Sequence, residues 1–497
     1  MLSEYVKKKA LSTGEAINVV ADIFFNTSNQ LYDLKLPFTP LKTSPYPYVV
    51  TAKDPDLDLL TAFLIKHPET KFLRLQYLDY TATPRLRVVP VKRALKILQS
   101  QAHLTIGITT VSLGLLQNDT IIPAVTASGE YLLEGIISSI RPGPSDQFAS
   151  LQGEFRLRNG SDVSLCPRSV LRRSIEEAKS HGLEFLVGFE IEIVFLSYDA
   201  GNADNKAGYI ANETSNGQAW NSSRVLQGNT KLLIEIYDTL SNVGIDLDQW
   251  HPESSSGQFE FVLPPFPPLE AVDTLLHTRE IIQTVVAAHG MRATLHPKPF
   301  PMQAGTGSHV HLSIASPIGK EKAIYEAFYA GVLGHLRAII AFTYSNPASY
   351  DRVADGCWAG GRWVTWGTQN RETPLRKIDG SHWEMKCIDG LANVYLAIAA
   401  IITAGRLGVS GQEELTWLDC QEDPASLSEQ DRRRYGITEG LPATLVEAIE
   451  ALKEDEMLCA ALGRDVVERY VNVKTAEMEL LKGMDAHDRQ QWIIERY

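Results

Sequence analysis

Cysteine is scarce and unpatterned: Cys166, Cys357, Cys387, Cys420 and Cys459 form an odd, scattered set without a CxxC pair. That argues against a disulfide framework or a thiolate zinc site, and predicts buried free thiols. Long apolar runs are missing too. The longest, Val394 to Ala404, falls short of the roughly 20 residues needed to cross a bilayer and predicts a buried helix, with no membrane partner. The first twenty residues hold no apolar core of the kind a secretory signal needs, so the expected compartment is the cytosol. Positive charge is in deficit: 47 Lys and Arg against 60 Asp and Glu give a net charge of -13. Phosphate neutralisation needs the opposite surplus, so no nucleic-acid partner is expected. Internal repeats, low-complexity tracts and P-loop or kinase-type glycine loops are also absent.

What is present reads as a folded, enzyme-sized chain. Its 497 residues, 44% hydrophobic and 22% charged, predict two or three domains with a sizeable core. Residues 1–45 combine a helical-looking stretch with a Pro-punctuated connector, PFTPLKTSPYPY, and form an N-terminal extension. Residues 46–162 contain short β-branched and aromatic segments such as FLRLQYLDY, PRLRVVP and LTIGITTV, which predict a small β domain. A larger domain, 163–497, interleaves strands and helices before a C-terminal section of helical periodicity.

Chemistry gathers in that larger domain. In LVGFEIEIVFL, strand alternation places Glu190 and Glu192 on one face. In HPESSSGQFEFVLPP it places Gln258 with Glu260, Glu253 lying just upstream; in GTGSHVHLSI it pairs His309 with His311; HWEMKCID adds Glu384. Any one of these would suit an ordinary half-solvated strand. Together they make a pile of carboxylates that requires cations, and glutamate oxygens with a single histidine suit Mg²⁺ or Mn²⁺ better than zinc. A second cluster is basic: Arg352 in SYDRVADG, with Arg371 and Arg376 in NRETPLRKI. Guanidinium groups beside metals form a phosphoryl-transfer kit.

These segments, in this order, resemble the glutamine synthetase family, from about residue 70 to 497. The resemblance implies an α+β fold: a small β-grasp domain followed by a catalytic half-barrel with C-terminal helices. It implies two Mg²⁺ or Mn²⁺ ions per subunit, one held by Glu192, Glu253 and Glu260, the other by Glu190, His309 and Glu384. It further implies that His311, Arg371 and Arg376 face ATP, that Gly305 lines the amino-acid pocket, that Arg352 holds the substrate carboxylate, and that Asp79 looks into the next subunit's site within a homo-oligomeric ring. The implied reaction phosphorylates the γ-carboxylate of a glutamate-like acid with ATP and joins it to an amine.

Four positions depart from the family pattern. Trp358, in DGCWAG, stands where authentic glutamine synthetases carry the glutamate that binds ammonium; Ala304 replaces an asparagine; His382 and Lys386 replace arginines on either side of Glu384. Lys386 keeps a positive charge without the fork geometry of arginine. Trp358 favours an amine larger than ammonia, and the other three departures weigh against plain glutamate as the acid. Two alternatives stay open: an ammonia-dependent synthetase, and a non-catalytic structural or developmental ring protein. DIFFNTSNQLYDLKL, residues 22–36, resembles the closing segment of an amidohydrolase domain without its metal histidines, and an ordinary amphipathic extension fits it equally.

Overall fold

The computed structural model describes residues 55–201, 206–211, 220–353 and 359–497, so the N-terminal extension and Trp358 lie outside the described residues. The chain divides into two compact units. One takes its described residues from 55–75, 87–104 and 135–151; the other comprises Gln76–Leu86, Thr105–Glu134 and Gln152–Tyr497.

In the first unit lie helices α1 (Pro55–Lys66) and α2 (Val91–Gln99), strand β5 (Arg141–Pro142), and parts of β1 (Phe72–Leu78), β2 (Pro84–Pro90) and β6 (Phe148–Arg156). Helix α2 buries Val91, Ala94, Leu95 and Leu98, the spacing of one apolar stripe. Within the second unit the remaining lengths of β2, β1 and β6 are joined by β4 (Glu130–Gly135) and β3 (Thr105–Thr109), in the order β2-β1-β6-β4-β3.

The second unit continues through α3 (Pro167–Ser180), β7 (Phe185–Asp199), β8 (Gly208–Ala211), α4 (Ser223–Asn242), β9 (Gln249–Pro252), β10 (Gln258–Val262), α5 (Pro268–Ala288), β11 (Arg292–Thr294) and β12 (Val310–Ile314). It then runs through α6 (Lys322–Gly334), α7 (Leu336–Thr343), β13 (Trp366–Thr368), β14 (Leu375–Asp379), β15 (His382–Met385), α8 (Val394–Gly411) and five further helices, α9 to α13, between Glu429 and Arg496. Nine of its strands form one sheet, ordered β13-β14-β15-β12-β7-β10-β9, with β8 and β11 also on β7. Every pairing in it is antiparallel except β13 with β14.

Strand β7 is the spine. Its alternation of aliphatic and aromatic residues with Glu190 and Glu192 gives it an apolar back, on which α5 packs, and a carboxylate front. Register then fixes the site: Glu260 of β10 stands opposite Glu192, Val262 opposite Glu190, and His311 of β12 lies between Gly188 and Glu384. The apolar run foreseen as a buried helix is α8, capped by Asn393, whose side chain accepts from the Leu396 amide; most of its residues are buried. Cys166, Cys387, Cys420 and Cys459 are free and buried, as expected, while Cys357 falls outside the described residues.

Candidate active site

Glu190, Glu192, Glu253 and Glu260 line one cavity of about 560 Å³ together with His309, Gly305, Ala304, Arg352, Arg371 and Lys386. Two ligand clusters share residues with it, Glu384 of the first not being part of its lining. Glu190, His309 and Glu384 bring one atom each within 4.8 Å of one another, and so do His251, Glu253 and Glu260. The first is the triad expected from the sequence. The second contains a histidine in the place expected for Glu192.

Glu192 is held between the two. Its Oε2 accepts from the Gly307 amide at 2.8 Å and from Gln258 Nε2 at 2.9 Å, while its Oε1 lies 3.6 Å from His309 Nε2. His251 Nε2 approaches Glu253 Oε1 at 3.1 Å and Glu260 Oε1 at 3.9 Å. A sequence signal for His251 existed, since it precedes Glu253 by two on an extended segment and therefore shares its face.

The electrostatics are those of a cation site. Burial alone would push Glu190 up, but hydrogen bonds from His309 Nδ1 at 2.7 Å and His311 Nε2 at 3.0 Å hold it well below the usual carboxylate range. Glu384 is also held low, because Lys386 and His309 outweigh its burial. Glu260 goes the other way: burial, then the charges of Glu190, Glu192 and Glu253, push its carboxyl up to about 10. Among the described residues the buried His309 Nε2 has no hydrogen-bond partner. A buried imidazole nitrogen aimed among carboxylates, one of them forced to keep its proton, is a donor set that fits a hard divalent cation.

Glycine makes the convergence possible. A Cβ at Gly307 would sit 2.6 Å from His309 Nε2, 2.9 Å from Arg352 Nη2 and 3.0 Å from Glu192 Oε1; at Gly305 it would meet the Arg352 Cβ at 2.7 Å. Arg352 is buried against the Tyr344 ring, 5.8 Å from its centroid, and among the described residues its Nε has no partner. Lys386 is buried, and its ammonium lies 3.4 Å from Glu384.

The two arginines of NRETPLR separate. Arg371 is exposed and lines the cavity, whereas Arg376 turns from it, donating to Glu384 Oε2 at 2.9 Å and Gln369 Oε1 at 2.7 Å. His382 fills its position by pairing with His311, Nε2 to Nδ1 at 3.0 Å. Asp79, expected at the next subunit's site rather than at this one, is not among the residues lining this cavity. Its buried carboxylate accepts from the Thr81 and Thr83 amides, the Thr81 hydroxyl and, at 2.6 Å, Arg85 Nε, so its acceptors are taken up within its own chain. Trp220, Trp250, Asn221 and Gln249 also line the cavity and carried no pattern that alternation could detect; Trp220 Nε1 donates to Glu253 Oε1 at 3.0 Å.

Residues 164–497 match the profile of the glutamine synthetase catalytic domain. The chain belongs to the glutamine synthetase family. Its relatives include Protein fluG of Emericella nidulans, 42% identical over 99% of this chain and 56% of that protein. The chain thus spans little more than half of fluG's length. Gamma-glutamylpolyamine synthetase GlnA3 of Streptomyces coelicolor is 32% identical over 66% of this chain and 72% of its own. Among solved structures, a novel glutamine synthase homolog superposes with a TM-score of 0.71 at 25% identity, over 86% of this chain and 99% of that one. A GmaS/ADP complex gives 0.74 at 23%, over 88% and 99%. The curled half-barrel sheet with C-terminal helices is the glutamine synthetase fold that the sequence led us to expect.

Proposed function

We propose that this chain is an ATP-dependent ligase that joins the γ-carboxylate of glutamate, or a close analogue, to an organic amine through an acyl phosphate. The observation carrying the reading is the single cavity in which two glutamate–histidine clusters meet Arg352, Arg371 and Lys386. Glu190, His309 and Glu384 would hold one Mg²⁺ or Mn²⁺, and Glu253 and Glu260, with Glu192 or His251, the other. Such ions would neutralise phosphate oxygens as charge moves off ATP.

The rest of the work falls to side chains. Arg352, fixed by Tyr344 and by glycine at 305 and 307, is suited to the substrate α-carboxylate; Arg371, exposed at the cavity, is suited to polyphosphate. Arg376 is assigned to holding Glu384 rather than to ATP, and Asp79 keeps its expected place at the next subunit's site. The aromatic and histidine surface of Trp220, Trp250 and His251 would shelter an amine's carbon skeleton, in keeping with the named activity of GlnA3. We extend to the chain the homo-oligomeric ring expected from the resemblance, which sedimentation tests directly, and the cytosolic compartment expected from the sequence.

The deciding measurement is ADP release with glutamate and analogues crossed against ammonia and a panel of mono-, di- and polyamines. At least one organic amine should outperform ammonia, because indole at position 358 cannot take a proton from ammonium as a carboxylate does. Trp358→Glu should move the preference towards ammonia. Efficient glutamine formation by the unmodified chain, with no amine faster, would replace this reading with the ammonia-dependent one, and no ADP release with any pair would replace it with a non-catalytic one.

A further inference from the structure

A second cavity of the same unit, about 210 Å³, is walled by Gln76, Leu78, Leu276, Arg279, Gln283 and Tyr497. Leu276, Arg279 and Gln283 recur at the helical spacing on α5, so one face of that helix forms the wall. The unusual member is Arg279. It is 6% exposed, and among the described residues no carboxylate lies within ion-pair distance of it. Among the described residues Nη2 donates to Ser308 Oγ at 2.8 Å, Nη1 only to the Gly390 carbonyl at 3.4 Å, and Nε has no partner.

Buried arginines are normally paired, because an unneutralised cation out of water is costly. The contrast within α5 is direct: Asp273 receives both Arg168 Nη2 at 2.8 Å and Arg168 Nε at 3.1 Å. Burial, opposed only by the charge of Asp389, pulls Arg279 down to about 10, which leaves it a cation at neutral pH. The same wall carries Arg496, beside Glu495, and Glu280, whose Oε2 accepts from Gln76 Nε2 at 3.0 Å; Glu280 would repel a dianion more strongly than a monoanion. The volume lies below the roughly 300 Å³ at which drug-sized pockets begin.

We propose that this cavity is a binding site for a short-chain monocarboxylate, whose carboxylate pairs with the Arg279 guanidinium beside the amide of Gln283 while its carbons pack on Leu78 and Leu276. The site is separate from the candidate active site and independent of the reaction assigned there.

Thermal melts of the full chain, without divalent metal and at constant ionic strength, test this with acetate, propionate, chloride and phosphate as probes. Acetate and propionate should raise the melting temperature saturably by about 2 °C or more, and chloride and phosphate should not. The shift should persist in Arg352→Gln, which removes the active-site arginine, and vanish in Arg279→Gln. Gln283→Glu gives up an amide bond to the Tyr497 oxygen at 3.4 Å and supplies a carboxylate one helical turn from Arg279, and it decides the matter should Arg279→Gln not fold: whatever its own melting temperature, it should no longer respond to acetate. Equal effects of acetate and chloride, a response to phosphate, or a Gln283→Glu protein that still responds to acetate would overturn the proposal.

Discussion

Arg376 illustrates how much a single side chain's direction changes its role. It stands in the family's basic segment, where contact with nucleotide was expected, yet it reaches from β14 to Glu384, its register partner on β15. A charge-assisted bond of 2.9 Å to a carboxylate almost wholly buried fixes that carboxylate's orientation. Residues that orient metal ligands typically affect metal affinity about 10- to 100-fold when removed. Arg376→Gln should therefore raise the Mg²⁺ concentration giving half-maximal ADP release by about that factor, while the KM for ATP at saturating Mg²⁺ changes much less. A large rise in KM for ATP with unchanged metal dependence would return Arg376 to the nucleotide. Nothing in NRETPLR distinguishes the two arginines locally, because their separation comes from a turn at Arg371 and a cross-strand neighbour at Arg376.

At the scale of elements, alternation alone located most of the site. Glu190 with Glu192 and His309 with His311 were legible because a strand with an apolar back leaves its other face for chemistry, and the register of β7 with β10 and β12 brings those faces together. Pairing order was not legible, since the crossovers that put β12 beside β7 are set by helices that the strand pattern does not encode. Trp220 enters from a loop and so escaped any periodic reading.

Helix α8 was legible as a buried run, but its closest neighbour was not. It crosses α6 at a contact of glycines: a Cβ on Gly408 would stand 2.2 Å from the Ala327 carbonyl oxygen and 2.7 Å from the Gly331 Cα. Gly408→Val should thus force the helices apart and cost about 3 kcal/mol or more, or prevent folding. Gly334→Ala, on the same α6 but with only Glu413 Oε2 at 3.7 Å in reach, should change stability by no more than about 1 kcal/mol, in the stabilising direction. Urea unfolding of both proteins checks the pair, and a well-tolerated valine at 408 would refute the glycine crossing.

For the whole molecule, the carboxylate cluster makes stability a function of pH and of metal together. Glu260 carries a folded pKa of about 10 against an ordinary carboxylate value of 4.5. Below 4.5 it is protonated whether folded or unfolded, and it contributes no dependence. Between 4.5 and about 10 the unfolded chain gives up a proton that the folded chain keeps, so this group lowers stability steadily as pH rises through that window. Glu190 and Glu384, held below the usual range, act oppositely: their contribution is complete above the ordinary carboxylate value and is lost as pH falls through their folded pKa. Across pH 6 to 9 the Glu260 slope is therefore exposed by metal removal, with a contribution of the same sign from His311, whose burial is outweighed by its bond to Glu190, so that its pKa is raised. With EDTA present, the melting temperature should fall from pH 6 to pH 9, and Glu260→Gln should flatten that slope and melt higher at pH 9. Adding Mg²⁺ to the unmodified protein should release protons and restore the melting temperature most at high pH, because a cation takes the place of the proton on Glu260. Differential scanning calorimetry with and without Mg²⁺, with proton release followed in a weakly buffered titration, measures both. A metal-free protein that is more stable at pH 9 than at pH 6, or a Glu260→Gln protein less stable than the original in EDTA at pH 9, would mean that Glu260 ionises freely in the fold and that the cluster does not require a cation.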